Sequence, residues 1–263
     1  LAGAARAWSS GYPTPLFKRG KEDRLYDIDG NRYLDFDLDG GRLLFGHAPS
    51  FLTQAVKNAL SGGELDGLPV LALSRFHAVL RRIIPGLDGW RLHFVPDPAV
   101  ARVMLAEAFP GWTPLRPETL VVRGDRTALD ARLEKLEAGG NPLILDEGDS
   151  FLTGGFSSLA GERQPEGALL GGILGFSLLL LRPGHDREPL PWLPDRVSLT
   201  RAVERMRAVA GPRAPYGRLA ALARLFAERY RGRISGWCGF SPKIELTPAA
   251  REELLRRGFL LGA

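Results

Sequence analysis

The chain has 263 residues, of which 44% are hydrophobic and 25% are charged. This ordinary globular composition excludes an intrinsically disordered chain. Cys238 is the single cysteine, so a disulfide scaffold is excluded as well. The longest uncharged run, Gly167 to Leu181, has 15 residues and is too short for a membrane-spanning helix. No secretory signal pattern is visible, and we expect a cytoplasmic protein with no membrane partner.

The formal net charge is +5, and 30 of the 35 basic residues are arginines. Few Asn, Gln, Met or Cys residues accompany them, a pattern typical of a heat-adapted source and a GC-rich genome. An alternative is a nucleic-acid interface in the basic C-terminal part. Its arginines would be Arg218, Arg224, Arg229, Arg231 and Arg233. We do not expect this partner, because arginines on exposed helices are usually a solvated face, and steep salt dependence of DNA retention would reveal it.

The first predicted elements are a hairpin and two helices. Hydrophobic residues alternate on both sides of an Asp-Gly turn within Leu25–Leu34, which is the pattern of a β-hairpin. A helix is predicted over Phe51–Leu60, with Ser50 as its N-cap and Gly62 just past its end. A second helix is predicted over residues 70–84, where a proline then ends it.

Short hydrophobic runs then alternate with helical patterns. The predicted strands are Arg91–Val95, Thr119–Arg123 and Pro142–Asp146. The predicted helices are Ala99–Phe109 and Ala128–Ala138. This alternation predicts an α/β fold with a mostly parallel central sheet. Gly167–Leu181 is then predicted to be a glycine turn that leads into a fully buried strand, Phe176–Leu181.

The last third of the chain predicts a smaller α/β domain after a proline-rich linker. Its predicted elements are helices Leu199–Val209 and Gly217–Arg231, strands Arg233–Cys238 and Lys243–Leu246, a helix between Thr247 as N-cap and Gly258 as stop, and strand Phe259–Leu261. We divide the chain into an N-terminal hairpin and helix segment (1–60), a reduced large α/β domain (61–185) and a small C-terminal α/β domain (186–263).

Common metal and nucleophile motifs are absent from the sequence. The histidines at 47, 77, 93 and 185 lack metal-ligand spacing, and no G-x-S-x-G elbow occurs. We interpret His77 as a packed histidine. Asp146 and Glu147 end a hydrophobic strand, at the edge where open α/β folds bind ligands. A magnesium site of a nucleotide-binding protein is excluded, because no lysine is followed by Ser or Thr. The structural alternative is a capped strand end.

Five segments match, in order, the motifs of one enzyme family. They are Asp27–Asp35 (D-[VI]-D-G-N-x-Y-[IL]-D), Phe45–Pro49 (L-G-H-x-x-P), Leu143–Glu147 (the strand with D-E-V), Pro165–Gly175 (P-D-x-x-x-x-G-K-x-x-G) and Leu254–Leu261 (L-x-x-x-G-[VI]-x-L). The chain thus resembles the class III aminotransferases, which are fold-type I pyridoxal phosphate-dependent transferases, and particularly the glutamate-1-semialdehyde aminomutases. The resemblance implies a reduced aminotransferase fold and a two-fold homodimer.

The resemblance also implies site residues, and several depart from the family pattern. Gly172 takes the place of the lysine that forms the Schiff base, and no lysine lies within 35 residues of it. The phosphate loop corresponds to Asp97-Pro98-Ala99, where an aspartate repels phosphate and a proline has no N–H to donate. Asp146 matches the acid that pairs with the pyridine nitrogen. The aromatic Y-H-G segment that stacks on the cofactor has no counterpart, and the chain is shorter than the family between Phe109 and Asp146.

We therefore expect an aminotransferase-like protein that is catalytically inactive and acts as a binding, regulatory or subunit-partner protein. No catalytic residue, cofactor or metal is assigned, and Asp146 remains as a vestigial cofactor-binding residue. A related enzyme subunit is a candidate partner. The alternative is an active pyridoxal phosphate-dependent aminotransferase or aminomutase, with a noncovalently bound cofactor or an altered chemistry.

Overall fold

The computed structural model describes residues 15–63, 70–110, 144–153, 165–185, 192–211, 214–230, 234–238, 241–244 and 246–260. Within these ranges, no helix is long and apolar enough to cross a lipid bilayer. The predicted strand Thr119–Arg123 and the predicted helix Ala128–Ala138 lie outside the described residues. The division of the chain at residues 60 and 185 stays a prediction.

One four-stranded sheet brings together the beginning and the end of the described chain. Its strands, in spatial order, are β1 (Phe17–Lys21), β2 (Arg24–Asp27), β3 (Arg32–Asp35) and β10 (Phe259–Leu260). The predicted hairpin is confirmed as β2 and β3. The Asp27 carboxylate holds its turn by accepting hydrogen bonds from the backbone N–H (2.8 Å) and the side-chain amide (2.9 Å) of Asn31. Gly258, with a φ of 82°, then directs β10 alongside β3 in parallel.

Two helices follow the hairpin, α1 (Ser50–Ser61) and α2 (Leu71–Ile83). Both were predicted, to within one residue at each end. The prediction of Ser50 as N-cap is wrong, because Pro49 holds that position, with φ −65° and ψ 137°, and makes no side-chain cap. Proline's fixed φ suits the residue just outside the first turn, so the helix begins one residue earlier than the cap rule suggested. Gly62 ends α1 as predicted.

The main sheet is mixed. Its strands are β4 (Arg91–Val95), β5 (Ile144–Glu147), β6 (Gly167–Leu170) and β7 (Ser177–Leu181), in the spatial order β4-β7-β6-β5. β5 and β6 are parallel, whereas β7 runs antiparallel to both of its neighbours. Three of these four strands therefore point in one direction. The reversal at β7 follows from the short connection over residues 171–176, which leaves no room for the crossover that a parallel pair requires.

Helices cover both faces of the main sheet, which confirms the predicted α/β architecture. Side chains of α2 and α4 (Arg196–Val209) pack on one face, and those of α3 (Pro98–Ala108) pack on the other. Residues of β7 alternate between the two clusters: Leu178 and Leu180 join the first, and Leu179 and Leu181 join the second. Because both faces are covered, the strand is apolar throughout instead of alternating with polar residues.

The predicted glycine turn is found at Gly171–Gly175, just before the buried strand, whereas Gly167 already lies in a strand. Gly167 begins β6 and pairs with Ile144 and Leu181 on either side. A Cβ atom at Gly167 would lie 3.1 Å from the Phe109 ring, which is tighter than ordinary side-chain contact. The glycine therefore permits close packing in the cluster around α3. The buried strand that was predicted through Leu181 is confirmed, since every residue of β7 is buried.

The C-terminal part has two further helices and a hairpin, close to the predicted positions. They are α5 (Tyr216–Arg229), β8 (Ile234–Cys238), β9 (Ser241–Ile244) and α6 (Pro248–Arg256). β8 and β9 pair antiparallel, and β9 begins two residues before the predicted strand. The Thr247 hydroxyl accepts a hydrogen bond from the Ala250 N–H at 3.3 Å, which confirms it as the N-cap of α6.

Candidate cofactor site

Asp146 lies near the carboxyl end of β5, with a side chain that is 1% exposed. Its Oδ1 atom accepts a hydrogen bond from the backbone N–H of Gly148 at 3.1 Å. The carboxylate thus caps the turn that follows the strand, which is the structural role that the sequence offered for it. A carboxylate at this depth requires a cationic or hydrogen-bonding partner.

That partner is Arg102, which projects from α3. Its Nε donates to Asp146 Oδ2 at 2.9 Å, and its Nη2 donates to Asp146 Oδ1 at 3.2 Å. This two-point contact is the geometry that a planar guanidinium makes with a carboxylate. The hydrogen bonds that Arg102 donates to Asp146 raise the pKa of Arg102 still further, although its partial burial acts in the opposite direction. Both carboxylate oxygens of Asp146 are engaged by protein groups.

A second acid and a second arginine extend this pair into a chain of four charges. Arg102 Nη2 also donates to Asp149 Oδ2 at 2.8 Å, and Arg42 Nη2 donates to Asp149 Oδ1 at 3.0 Å. Partial burial tends to raise the pKa of Asp149, but the hydrogen bond and charge of Arg102 and the charge of Arg42 outweigh it and hold the pKa below its ordinary value. Arg102 and Arg42 therefore bind Asp146 and Asp149 in one connected chain after β5.

The turn after β5 packs directly against the two glycines that follow β6. Gly172 is buried, has a φ of 49°, and donates its N–H to the carbonyl of Gly148 at 2.8 Å. A Cβ atom on Gly172 would lie 2.6 Å from the carbonyl oxygen of Phe151 and 2.7 Å from its nitrogen. At Gly171, a Cβ would meet the Gly148 carbonyl. No side chain can leave either position without displacing this backbone.

Two side chains from α4 and α5 hold the same region in place. Arg205 Nη1 donates to the carbonyl of Ile173 at 3.0 Å, and the Tyr216 hydroxyl donates to the carbonyl of Leu152 at 2.6 Å. Burial raises the pKa of Tyr216, so it is a neutral donor at physiological pH. Leu152 has a φ of 59°, which is uncommon for a residue with a side chain. The hydroxyl of Tyr216 supplies a hydrogen-bond donor to its carbonyl in this conformation.

Asp97 lies at the start of α3, where the resemblance places the phosphate loop. It is the N-cap of the helix, and its carboxylate accepts a hydrogen bond from the N–H of Ala99. Pro98 is the first helical residue and has no N–H to donate. The Asp97 carboxylate therefore occupies the helix N-terminus, where an anionic group of a ligand would otherwise bind.

Sequence reasoning identified Asp146, Gly172 and Asp97 but missed the groups that surround them. The missed residues are Arg42, Arg102, Asp149, Arg205 and Tyr216. One signal was available for Arg102: it is the single basic residue of the largely apolar α3, next to buried Ala101, with Glu107 as the other charged residue. An arginine on such a helix requires an acid nearby. The other contacts depend on how separate segments pack together.

Two of the histidines, His47 and His77, contact neighbouring side chains. His47 Nε2 lies 2.7 Å from Asp35 Oδ2, and the His77 ring stacks on Phe94 with an interplanar angle of 18°. Across the described part of the chain, no group of three or more His, Cys, Asp and Glu side chains is placed to hold a metal ion.

At the positions that the resemblance assigns to pyridoxal phosphate, the described residues do not present the groups with which the aminotransferases hold it. The Schiff base would require an amine at Gly172, which has neither a side chain nor room for one. The pyridine nitrogen would require the Asp146 carboxylate, which Arg102 already binds. The phosphate would require donors at Asp97, which presents a negative charge.

The chain is similar to known proteins in part of its sequence and in its fold. No protein-family model matches the sequence. The chain is 33% identical over 88 residues to the glutamate-1-semialdehyde 2,1-aminomutase of Limosilactobacillus reuteri, a stretch that covers 33% of this chain and 20% of that one. The matched stretch is thus one fifth of the length of the curated relative.

The similarity in fold extends over nearly the whole chain. An omega-transaminase from Sphaerobacter thermophilus superposes with a TM-score of 0.69 at 17% identity, covering 98% of this chain and 89% of that one. The ornithine aminotransferase from Toxoplasma gondii, which has pyridoxal phosphate at partial occupancy in its active site, gives a TM-score of 0.70 at 15% identity, covering 99% and 85%. The chain has the α/β fold of the pyridoxal phosphate-dependent aminotransferases. The predicted resemblance to a glutamate-1-semialdehyde aminomutase is confirmed over the 88 matched residues, and the predicted aminotransferase fold is confirmed over nearly the whole chain.

Proposed function

We propose that this protein is a non-catalytic member of the aminotransferase fold, which binds no pyridoxal phosphate as a Schiff base and acts as a binding, regulatory or subunit-partner protein. The observation that carries the proposal is the contact between Arg102 and Asp146, at 2.9 and 3.2 Å. Arg102 binds the carboxylate of Asp146, which the ring nitrogen of the cofactor would need as its partner.

The contact is costly for a ligand to replace. The guanidinium is always protonated, and the Asp146 side chain is 1% exposed. A pyridine ring would have to displace two charged hydrogen bonds, and it would also leave Arg102 without its main partner. Displacing Arg102 would forfeit two charge-assisted hydrogen bonds of about 1.5–3 kcal/mol each, which is a large share of the roughly 8 kcal/mol of a micromolar ligand.

The surroundings of Gly172 support the same proposal independently. Nucleophilic catalysis through a Schiff base requires a primary amine, and none of the chain's five lysines lies within 35 residues of Gly172. The backbone of Phe151 lies where a Cβ would project, so the position is filled by main chain. The site has been reorganised well beyond the loss of one side chain.

The oligomeric state, the cellular location and the kind of source organism are part of this proposal. The resemblance implies a two-fold homodimer, to which a related enzyme subunit is a candidate partner, and the proposed location is the cytoplasm. A heat-adapted source is consistent with 30 arginines against 5 lysines.

The decisive experiment is a calorimetric titration with pyridoxamine phosphate, which carries the cofactor's ring and phosphate but needs no lysine. We expect no binding at micromolar concentration to the parent protein. Asp146→Asn serves as the site variant and Asp88→Asn, at an exposed position remote from the site, serves as the control. Micromolar binding that Asp146→Asn abolishes and Asp88→Asn preserves would overturn the proposal. That result would establish the alternative, an enzyme with a noncovalently bound cofactor.

A further inference from the structure

A separate cavity lies at the free edge of β4, away from the Asp146 site. Its volume is about 240 Å³. The C-terminal half of α2, the loop over residues 87–90, the beginning of β4 and the segment just before α4 enclose it. Its lining shares no residue with the chain of charges around Asp146. Whatever the cavity does is therefore independent of the lost cofactor chemistry.

The walls of this cavity are mainly aromatic and aliphatic. Trp90 and Trp192 are the two largest lining residues, and both are only partly buried. Leu80 and Leu87 form buried parts of the wall, and Leu193 is 41% exposed. Trp192 in turn contacts the Phe176 ring, with 6.4 Å between ring centroids. Both tryptophan rings therefore pack against the main hydrophobic core.

The lining of the cavity carries a positive charge. Arg81 is the one permanently charged residue among the described residues of the lining. Among the described residues it pairs with Asp88, at 3.6 Å, and the two side chains are 67% and 84% exposed. An exposed pair at this distance contributes little to stability, so Arg81 can turn to another anion at small cost. His77, beside it, has its pKa lowered by burial and by the charge of Arg81, and it remains neutral at physiological pH.

The size of the cavity indicates a small molecule. Protein interiors contain few voids larger than a water molecule, and an apolar cavity of about 150 Å³ holds benzene. A space of about 240 Å³ accommodates a two-ring system. Ligand sites in proteins combine apolar and aromatic walls with a few polar groups that orient the ligand, which is the composition found here.

We propose that this cavity binds a planar aromatic compound with a single anionic group, with its rings against Trp90 and Trp192 and the anion directed to Arg81. Aromatic faces attract aromatic rings beyond the burial of area alone. The guanidinium supplies a charge-assisted hydrogen bond at the rim, where the ligand's anion stays partly hydrated. The ligand class follows from these two features together.

The first test compares three probes on the parent protein by tryptophan fluorescence and calorimetry. They are 2-naphthoate, the neutral 2-naphthamide and the non-aromatic cyclohexanecarboxylate. We expect 2-naphthoate to bind about tenfold more tightly than either of the others, because each of them lacks one of the two features. Equal affinity for all three, or no binding of 2-naphthoate, would overturn the proposal.

The second test uses matched substitutions in α2. Arg81→Gln removes the cation at the cavity, whereas Arg82→Gln changes the adjacent exposed arginine, which does not line it. We expect Arg81→Gln to weaken 2-naphthoate about tenfold and leave 2-naphthamide unchanged, and Arg82→Gln to change neither. Equal weakening by both variants would show a general attraction of anions to a basic protein and would overturn the assigned site. Trp192→Leu should weaken both probes.

Discussion

The guanidinium of Arg102 binds both carboxylate oxygens of Asp146, at 2.9 and 3.2 Å, and joins a helix on one face of the main sheet to the end of β5. An acid at this edge would ordinarily be available to a ligand. Here it serves the fold, because its charge is compensated within the chain. The same arginine reaches Asp149 at 2.8 Å, so one side chain holds both the strand end and the following turn.

The first prediction concerns the stability that this contact supplies. Arg102→Met leaves a buried carboxylate without its cation, and we expect the free energy of unfolding to fall by about 2–4 kcal/mol. Asp146→Asn retains an oxygen for the Gly148 N–H but loses the charge. In the double variant, the two losses should be less than additive by at least about 1 kcal/mol. Urea denaturation of the four proteins measures this coupling.

The control for this cycle is Arg207→Met. Arg207 Nη1 lies 2.7 Å from Glu204 Oε1 in an exposed pair on α4, where a salt bridge contributes less than about 1 kcal/mol. If Arg102→Met cost no more than Arg207→Met, Asp146 would not depend on Arg102, and the central argument for a lost cofactor site would fail.

Much of the local architecture was predictable because it depends on residues close in sequence. The Asp27–Asn31 turn, the Gly62 stop and the Thr247 cap all act within a few residues. Asp146 was placed at a strand end for the same reason. By contrast, the partners of Asp146 come from 44 residues earlier in the chain and from the packing of α3 over the sheet, which no local pattern encodes.

The second prediction concerns the space at Gly172. Gly172→Ala places a Cβ 2.6 Å from a backbone oxygen and also imposes a positive φ on a residue with a side chain. We expect a loss of more than about 4 kcal/mol or no folded protein. Gly184→Ala is the matched control, since Gly184 has a φ of 99° with no atom within 4 Å of the added carbon. Gly184→Ala should lower the free energy of unfolding only by the cost of a positive φ for alanine, which is about 1–2 kcal/mol.

Gly172→Lys extends this prediction to chemistry. Any folded fraction should give no aldimine absorbance with pyridoxal phosphate and no half-transamination with an amino donor. The lysine cannot project without displacing the Phe151 backbone, and the acceptor for the ring nitrogen remains bound by Arg102. Transamination above the level of the parent would show that the rest of the site is intact and that the protein is not a pseudoenzyme.

Two parts of the sequence analysis differ from the structure for physical reasons. The predicted glycine turn begins at Gly171 and not at Gly167, because Gly167 is a strand glycine that packs closely against Phe109. Ser50 matched the preference of helix N-caps, yet Pro49 ends the preceding segment one residue earlier. In both cases a packing or backbone constraint from a neighbouring segment outweighs the intrinsic preference of the residue.

The third prediction concerns assembly. We expect light scattering to give twice the chain mass of 28.7 kDa, because the resemblance implies a two-fold dimer. The measurement should be repeated between 1 and about 50 μM, since a dimer in equilibrium would dissociate on dilution. A mass near 29 kDa throughout this range would contradict the homodimer and would favour assembly with a different chain.

The last prediction concerns the acid side of the stability curve. The pKa of Asp149 is lower in the folded protein than its ordinary value of 3.8, because Arg102 and Arg42 outweigh the effect of burial. The unfolded chain therefore binds this proton more readily. Stability from Asp149 is present in full above the ordinary value and is lost as the pH falls through the folded-state value. Asp149→Asn should flatten the fall in Tm between pH 5 and pH 3, whereas Asp88→Asn, in an exposed pair, should follow the parent. Parallel curves for all three proteins would show that the two arginines do not stabilise the ionised form of Asp149.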